Sequence, residues 1–380
     1  MRWALATAVL GIGFAVAHPA WAMDHVVLRQ GDNQIKVTGR VLVTAQDGGL
    51  MVLARDGVIW IIQPHELVEH TEDQVPFKPL SVEEIAQRLL QVLPQGFEVH
   101  RTSHYLILHN TSREYASWCG SLFERLYLAF TNFWTRRGFD LHEPEIPLTG
   151  ILWSDQRSYE QFAREELGEA ASTIIGYYSL RTNRMNLFDL TGMAGQGRAS
   201  RGSTSAQINR VLAQPEAERM VATIIHEATH QIAFNCGLHT RYSDCPLWVS
   251  EGIAVYFETP DLTSVKGWST IGAVNRPRLA RFQQYLPKRP PDSLMTLIRD
   301  DKRFRDTSLA EDAYAEAWAL TYYLLRQRPK QYLTYLKVLS AKQPARSDPP
   351  EVRLRQFQEA FGDDLDKLDA ELKRHMLRVR

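Results

Sequence analysis

The stretch 221–232 constrains this chain more than any other. It is apolar enough to demand burial as a helix, yet His226-Glu227-Ala228-Thr229-His230 sits in its middle. Histidines four positions apart share one helix face, a turn from each other. Sinking two imidazoles and a carboxylate among Val221, Ala222, Ile224, Ile225 and Ile232 is costly unless something satisfies them. A metal ion does so. Both imidazoles reach one Zn²⁺, and the glutamate between them is placed to handle a water proton.

Two histidines leave such an ion short of a protein ligand, because catalytic zinc takes three and keeps a fourth position open. The helix has a stop at Gly237, then a turn-rich loop through Ser243, Asp244 and Pro246. A second short helix follows, Trp248-Val249-Ser250-Glu251-Gly252-Ile253-Ala254. If it returns antiparallel to the first, it brings Glu251 beside both histidines, with Gly252 allowing close backbone approach. The expected metal ligands are His226, His230 and Glu251, holding one Zn²⁺ per chain, with Glu227 as a general base outside the ligand set.

The rest of the chain is read around that site. Lys+Arg and Asp+Glu both number 44, so there is no basic excess to argue for nucleic acid. Arg2, the uncharged stretch 3–17 and Ala20-Trp21-Ala22 have the form of a secretory signal peptide with a small-x-small cleavage site. An uncleaved anchor is the alternative. Cleavage implies export to the periplasm or beyond, with no stable membrane insertion afterwards. Export would permit disulfides. Cys236 and Cys245 flank the loop after the metal helix and either pair or stay as free thiols, and Cys119 reads as a small core residue.

Residues 26–70 read as a small β unit. Asp47-Gly48-Gly49 and Arg55-Asp56-Gly57 mark turns between short β-prone runs, which suggests a meander or an SH3-like barrel. A structural or docking role is the default, and an inhibitory segment is conceivable. Beyond a linker with two prolines, Ser81 and Glu84 have the spacing of a helix-opening capping box. Strand and helix then alternate up to the metal helix, with a strand hairpin at 174–190 turning at 181–184, and helices dominate afterwards. The expected class is α+β, a sheet beside the active helix. The expected organisation is a signal peptide at 1–22, a β module at 23–75, the α+β first part of the metal-bearing domain at 76–215, and the metal helix with a helical C-terminal subdomain at 216–380. The glycine-rich stretch 191–207 has no phosphate-binding spacing and reads as a lid or a plain surface loop.

The HEATH motif and the WVSEGIA segment, with twenty residues between His230 and Glu251, resemble the gluzincin metallopeptidases, in which HExxH is followed by a glutamate ligand on the next helix. The chain looks most like the peptidase MA-like group, and within it an uncharacterised bacterial family frequent in planctomycetes. The resemblance spans about 97–375 and extends to Ala313-Tyr314-Ala315-Glu316-Ala317-Trp318-Ala319-Leu320 and to Phe361-Gly362. It implies a zincin-like fold, peptide or protein substrates, and Tyr314 as a donor to the oxyanion. Against that role, Tyr314, Trp318 and Tyr322 form an i, i+4, i+8 stripe, the usual mark of core packing. Tyr177, Tyr178 and Tyr256 are lesser candidates.

Thermolysin-like relatives carry an acidic residue four positions after the glutamate ligand, to orient a histidine. Here Val255 stands there, and Glu258 is one candidate replacement. By the same resemblance, substrate lies along an edge strand, for which 185–189 is the candidate. The resulting expectation is an exported zinc peptidase, endopeptidase rather than aminopeptidase because no G-x-M-E-N strand occurs. The alternatives are an exported scaffold that keeps a structural zinc, or a zinc hydrolase of a non-peptide amide.

Overall fold

A computed structural model describes residues 23–192, 204–212, 214–259 and 271–380. The signal-peptide reading and most of the glycine-rich stretch lie outside the described residues. The chain builds two sheets and then a helical layer, the α+β arrangement its sequence predicts.

The first sheet is antiparallel and five-stranded. Its strands are β1 (Asp24–Gln30), β2 (Asn33–Thr44), β3 (Leu50–Ala54), β4 (Ile59–Ile62) and β5 (Leu67–Glu72), in the order β4-β3-β2-β1-β5. The turns fall at the predicted glycines, with Gly48 at φ 91° and Gly57 at φ 89°, backbone conformations that side chains other than glycine rarely adopt. The strand β5 returns to pair with β1. All of β3 is buried, because its two faces serve two cores. Leu50, Val52 and Ala54 pack inside the module, while Met51 and Leu53, with Ile59 of β4, join the main core of the molecule.

Next come α1 (Val82–Val92), β6 (Glu98–Arg101), β7 (Tyr105–His109), α2 (Arg113–Thr135), β8 (Leu148–Trp153), α3 (Gln156–Leu167), β9 (Gly176–Tyr178) and β10 (Arg184–Phe188). The capping box forms at α1: Glu84 N–H donates to Ser81 Oγ, and Ser81 N–H to the Glu84 carboxylate. The second sheet runs β6-β7-β8-β10-β9, with β7, β8 and β10 parallel and the two outer strands antiparallel. This corrects the expectation for 185–189. That strand is interior, flanked by β8 and β9, and Met185 to Phe188 are buried, as a strand covered on both faces must be. The edge on the metal side is β9.

The remaining helices are α4 (Ser205–Leu212), α5 (Pro215–Asn235), α6 (Leu247–Phe257), α7 (Arg276–Tyr285), α8 (Ser293–Arg299), α9 (Lys302–Arg305), α10 (Ala310–Gln327), α11 (Pro329–Ser340), α12 (Pro350–Phe361) and α13 (Leu365–Met376). The HEATH helix α5 ends at Cys236, and Gly237 follows at φ 87°, as its sequence predicts. It is clamped between the second sheet and α6. The close approach that Gly252 permits is to α10 rather than to α5: a Cβ there would fall 2.3 Å from Thr321 Oγ1 and 2.8 Å from the Ala317 carbonyl oxygen. Cys119, Cys236 and Cys245 are all free thiols.

Candidate metal centre

Packing fixes how α5 presents its polar face. Val221, Ile224, Ile225, Ala228 and Ile232 are fully buried against the core. Thr229 Oγ1 donates a hydrogen bond to the Ile225 carbonyl at 2.7 Å, so its buried hydroxyl has a partner. The face left over carries His226, Glu227 and His230. The helix α6 is buried along almost its whole length and delivers Glu251 from the opposite side.

Three donor atoms converge there. His226 Nε2 lies 3.1 Å from His230 Nε2 and 3.1 Å from Glu251 Oε2, and His230 Nε2 lies 3.5 Å from Glu251 Oε2. This group could hold a metal ion. The two rings meet edge to face, at 82°.

The far nitrogen of His226 is also held. Nδ1 sits 2.6 Å from Glu258 Oε1, so the carboxylate takes that N–H and turns Nε2 toward Glu251 and His230. Glu258 is seven residues beyond Glu251, and seven residues return a helix to nearly the same face. It caps α6, where the chain turns away. Val255, four positions after Glu251, is buried and apolar. Two residues with no sequence signal complete the arrangement. Asn275 caps α7 and donates Nδ2 to Glu258 Oε2 at 3.4 Å, and Arg278 Nη2 lies 3.6 Å from the same oxygen.

Charge and burial compete at every group. Burial opposes ionisation of Glu251, yet the charge of His230 and the hydrogen bonds of both imidazoles hold its carboxyl well below the usual range. Burial likewise opposes the Glu258 carboxylate, and His226, Arg278 and Asn275 outweigh it. Burial alone would lower the His226 imidazole, but Glu251 and Glu258 raise it well above its ordinary value. Glu227 differs. Burial pushes its pKa up, against the pull of the two histidines and of a hydrogen bond from the Tyr178 N–H to Oε2 at 2.8 Å.

Of the tyrosine candidates, Tyr314 is the one whose ring stands beside the converging histidines, 6.5 Å from that of His226. The charge of Glu251, then burial, raises its pKa. Phe304 packs edge-on against it and Arg278 lies over its face. Its stripe partners Trp318 and Tyr322 are core residues, so the stripe is packing for two turns and reaches the site at its end. Tyr178 spends its hydroxyl on Asn183 Oδ1 at 2.6 Å, and Tyr177 turns to Glu166. Tyr256 lies against Gly272.

Sequence reasoning also missed how α5 grips the β9–β10 hairpin. Gln231 and Asn235, one and two turns after Glu227, bond to that hairpin: Gln231 Nε2 donates to the Asn183 carbonyl at 3.0 Å, and the Asn183 and Asn235 amides pair at 2.7 and 2.8 Å. Their i, i+4, i+8 spacing on a buried helix was the available signal.

Residues 220–346 match a family described as a protein of unknown function (DUF1570). The matched stretch holds His226, Glu227, His230, Glu251, Glu258 and Tyr314. No curated protein matches the chain.

Proposed function

We propose that this chain is an exported zinc-dependent peptidase, with His226, His230 and Glu251 as metal ligands and Glu227 as general base. One observation carries the reading. With His226 Nδ1 committed to Glu258, its Nε2 faces a carboxylate oxygen and a second imidazole nitrogen, and three atoms of metal-binding type meet at one point. A proton on Nε2 could serve one of those two neighbours, not both. A cation serves all three.

The donor set fits zinc. Tetrahedral Zn²⁺ with bonds of about 2.0–2.2 Å holds its ligand atoms roughly 3.3–3.5 Å apart. The three separations here are 3.1, 3.1 and 3.5 Å. Two imidazoles with one carboxylate favour zinc over the oxygen-seeking Mg²⁺ and Ca²⁺. Bound there, the ion supplies Lewis acidity and lowers the pKa of water toward neutrality.

The protein groups divide the remaining work. Glu227 takes a proton from the attacking water and passes it to the leaving amine. Its burial-raised pKa shifts it in the direction a base working near neutral pH requires. The Tyr178 N–H holds one carboxylate oxygen and leaves the other for the proton. Tyr314 is the proposed donor to the oxyanion. A peptide added alongside β9 would be held through its backbone, with little demand on its sequence, which suits an endopeptidase. The signal-peptide pattern supports action outside the cytoplasm, and among the described residues no helix is long and apolar enough to cross a membrane.

The test joins two assays on the mature protein. Zinc per chain is measured by elemental analysis for wild type and Glu227→Gln, and both are given denatured casein. The expected result is one zinc in each, with cleavage by wild type that a chelator stops and that Glu227→Gln lowers about 10²- to 10⁴-fold. Zinc in both with cleavage by neither would shift the reading to a zinc-holding scaffold. Absence of zinc from both would end it.

A further inference from the structure

The turn Asp56-Gly57 of the first sheet does not end in solvent. It is pressed against the β9–β10 turn, residues 179–183, and four polar contacts tie the two sides together. Ile59 N–H donates to the Arg181 carbonyl at 2.8 Å. Asp56 Oδ2 pairs with Arg184 Nη2 at 3.2 Å. Arg241, from the loop between α5 and α6, reaches between them: its Nη1 donates to the Gly57 carbonyl at 2.9 Å and to the Leu180 carbonyl at 3.2 Å. A Cβ on Gly57 would meet Ile146 and the Asn183 amide at 3.4–3.5 Å, so the surfaces touch. Asp56, Arg184 and Arg241 are all largely shielded from water.

The hairpin is thus gripped from two sides. On one side α5 holds it through Asn183 and through the Tyr178 N–H that anchors Glu227. On the other side the N-terminal sheet holds it through Asp56, Gly57 and Ile59. None of the second set approaches His226, His230 or Glu251. An inhibitory segment would cover the ligands, whereas this sheet braces the strand behind them. Its sharing of the main core through Met51, Leu53 and Ile59 fits a brace.

We infer that the Asp56-Gly57 turn, linked through Arg241, is a positioning element for the β9–β10 hairpin and, through Tyr178, for the Glu227 carboxylate. The N-terminal sheet is then part of the catalytic apparatus, and loosening it lowers turnover instead of relieving inhibition. The kinetic part of this inference rests on the peptidase reading, and its structural part does not.

The experiment compares full-length wild type with Arg241→Met, Arg241→Lys and Asp56→Asn, all loaded with zinc. Hydrogen exchange of the segment 176–188 is read by mass spectrometry, alongside zinc content and initial rates across casein concentrations. In Arg241→Met, amides of that segment should exchange about tenfold faster, with zinc content unchanged. Its kcat should fall about tenfold with KM within about twofold, since small misplacements of a catalytic group cost rate more than binding. Arg241→Lys keeps a cationic N–H donor but loses the planar guanidinium whose Nη1 reaches both carbonyls, and it should fall between, as should Asp56→Asn; these milder variants carry the test if Arg241→Met does not fold. Unchanged exchange in 176–188 would overturn the inference, and so would faster exchange with unaltered kcat. If wild type cleaves nothing, the peptidase reading fails, while the exchange measurement still decides the brace.

Discussion

Two glutamates in this molecule have nearly the same sequence surroundings and opposite fates. Glu251 lies in Glu-Gly-Ile-Ala and Glu316 in Glu-Ala-Trp-Ala, each on a buried helix. Glu316 is saturated. Its Oε1 takes Arg289 Nε at 2.9 Å and Nη2 at 2.5 Å, and its Oε2 takes Arg303 Nη2 at 2.8 Å and Ser293 Oγ at 2.7 Å. Arg289 goes on to Asp369 at 2.6 and 2.9 Å, so two guanidinium groups balance two carboxylates and α8, α9, α10 and α13 are tied together. At Glu251 no guanidinium or ammonium arrives; its Oε2 meets two imidazole nitrogens instead, in a group that could hold a metal ion. Burial alone does not mark a site. The mark is an interior polar group whose neighbours cannot complete it.

Breaking each cluster should therefore give opposite results. Glu316→Ala leaves Arg289 and Arg303 buried beside a single carboxylate, and removal of one partner from a buried ionic set costs about 3–5 kcal/mol. A urea titration should show that loss with zinc content unchanged. Glu251→Gln should do the reverse, abolishing stoichiometric zinc while moving the metal-free urea midpoint much less. Equal destabilisation by the two variants in metal-free protein would show that both clusters are structural and remove the distinction drawn here.

A smaller effect is expected one layer out. Glu258 touches no converging lone pair and acts by turning His226. Glu258→Gln keeps the shape but weakens the acceptor, and loss of such a partner typically costs 10- to 100-fold in metal affinity. Competition with a colorimetric zinc chelator measures it. If affinity stays within about twofold of wild type, His226 does not need Glu258 for its orientation, and the contact is packing.

The sequence announced the groups that must converge and was silent on the groups that hold them. HEATH and Glu251 were legible because periodicity fixes which residues share a helix face, and an apolar helix with three polar residues on one face demands an explanation. Glu258 was visible only as a candidate, since its use depends on where α6 ends. Asn275 and Arg278 arrive from a separate helix, and no local spacing links them to His226. The edge strand was misplaced for a similar reason. Both strands of the hairpin were legible in 174–190, but which of them pairs with β8 is decided by long-range parallel pairing that local pattern does not encode. The capping box at Ser81 and the stop at Gly237 depend on neighbours a few residues away, and they were read correctly.

His239 sharpens the comparison from a third direction. It is buried at 3% exposure, its Nδ1 lies 3.6 Å from Cys245 Sγ, and its Nε2 has no partner. Here is an unfilled interior nitrogen with no converging second and third donor, so by the argument above it is a neutral core group and not a ligand. Burial, then the nearby His230 charge, pushes its pKa down from 6.5 to about 3. The consequence for stability has a definite sign. Above about pH 6.5 His239 is neutral in the folded and unfolded chains and adds no pH dependence. As pH falls below that, the unfolded chain binds a proton that the folded one refuses until near pH 3, and stability drops by up to about 1.4 kcal/mol per pH unit. His239→Leu removes this one contribution while every other titrating group remains. The difference in unfolding free energy between variant and wild type should therefore shift in the variant's favour between pH 6 and 4, measured by urea titration. A difference that stays constant across that range would mean His239 finds a partner for its proton inside the fold, and an unfilled nitrogen could then no longer be read as a neutral one.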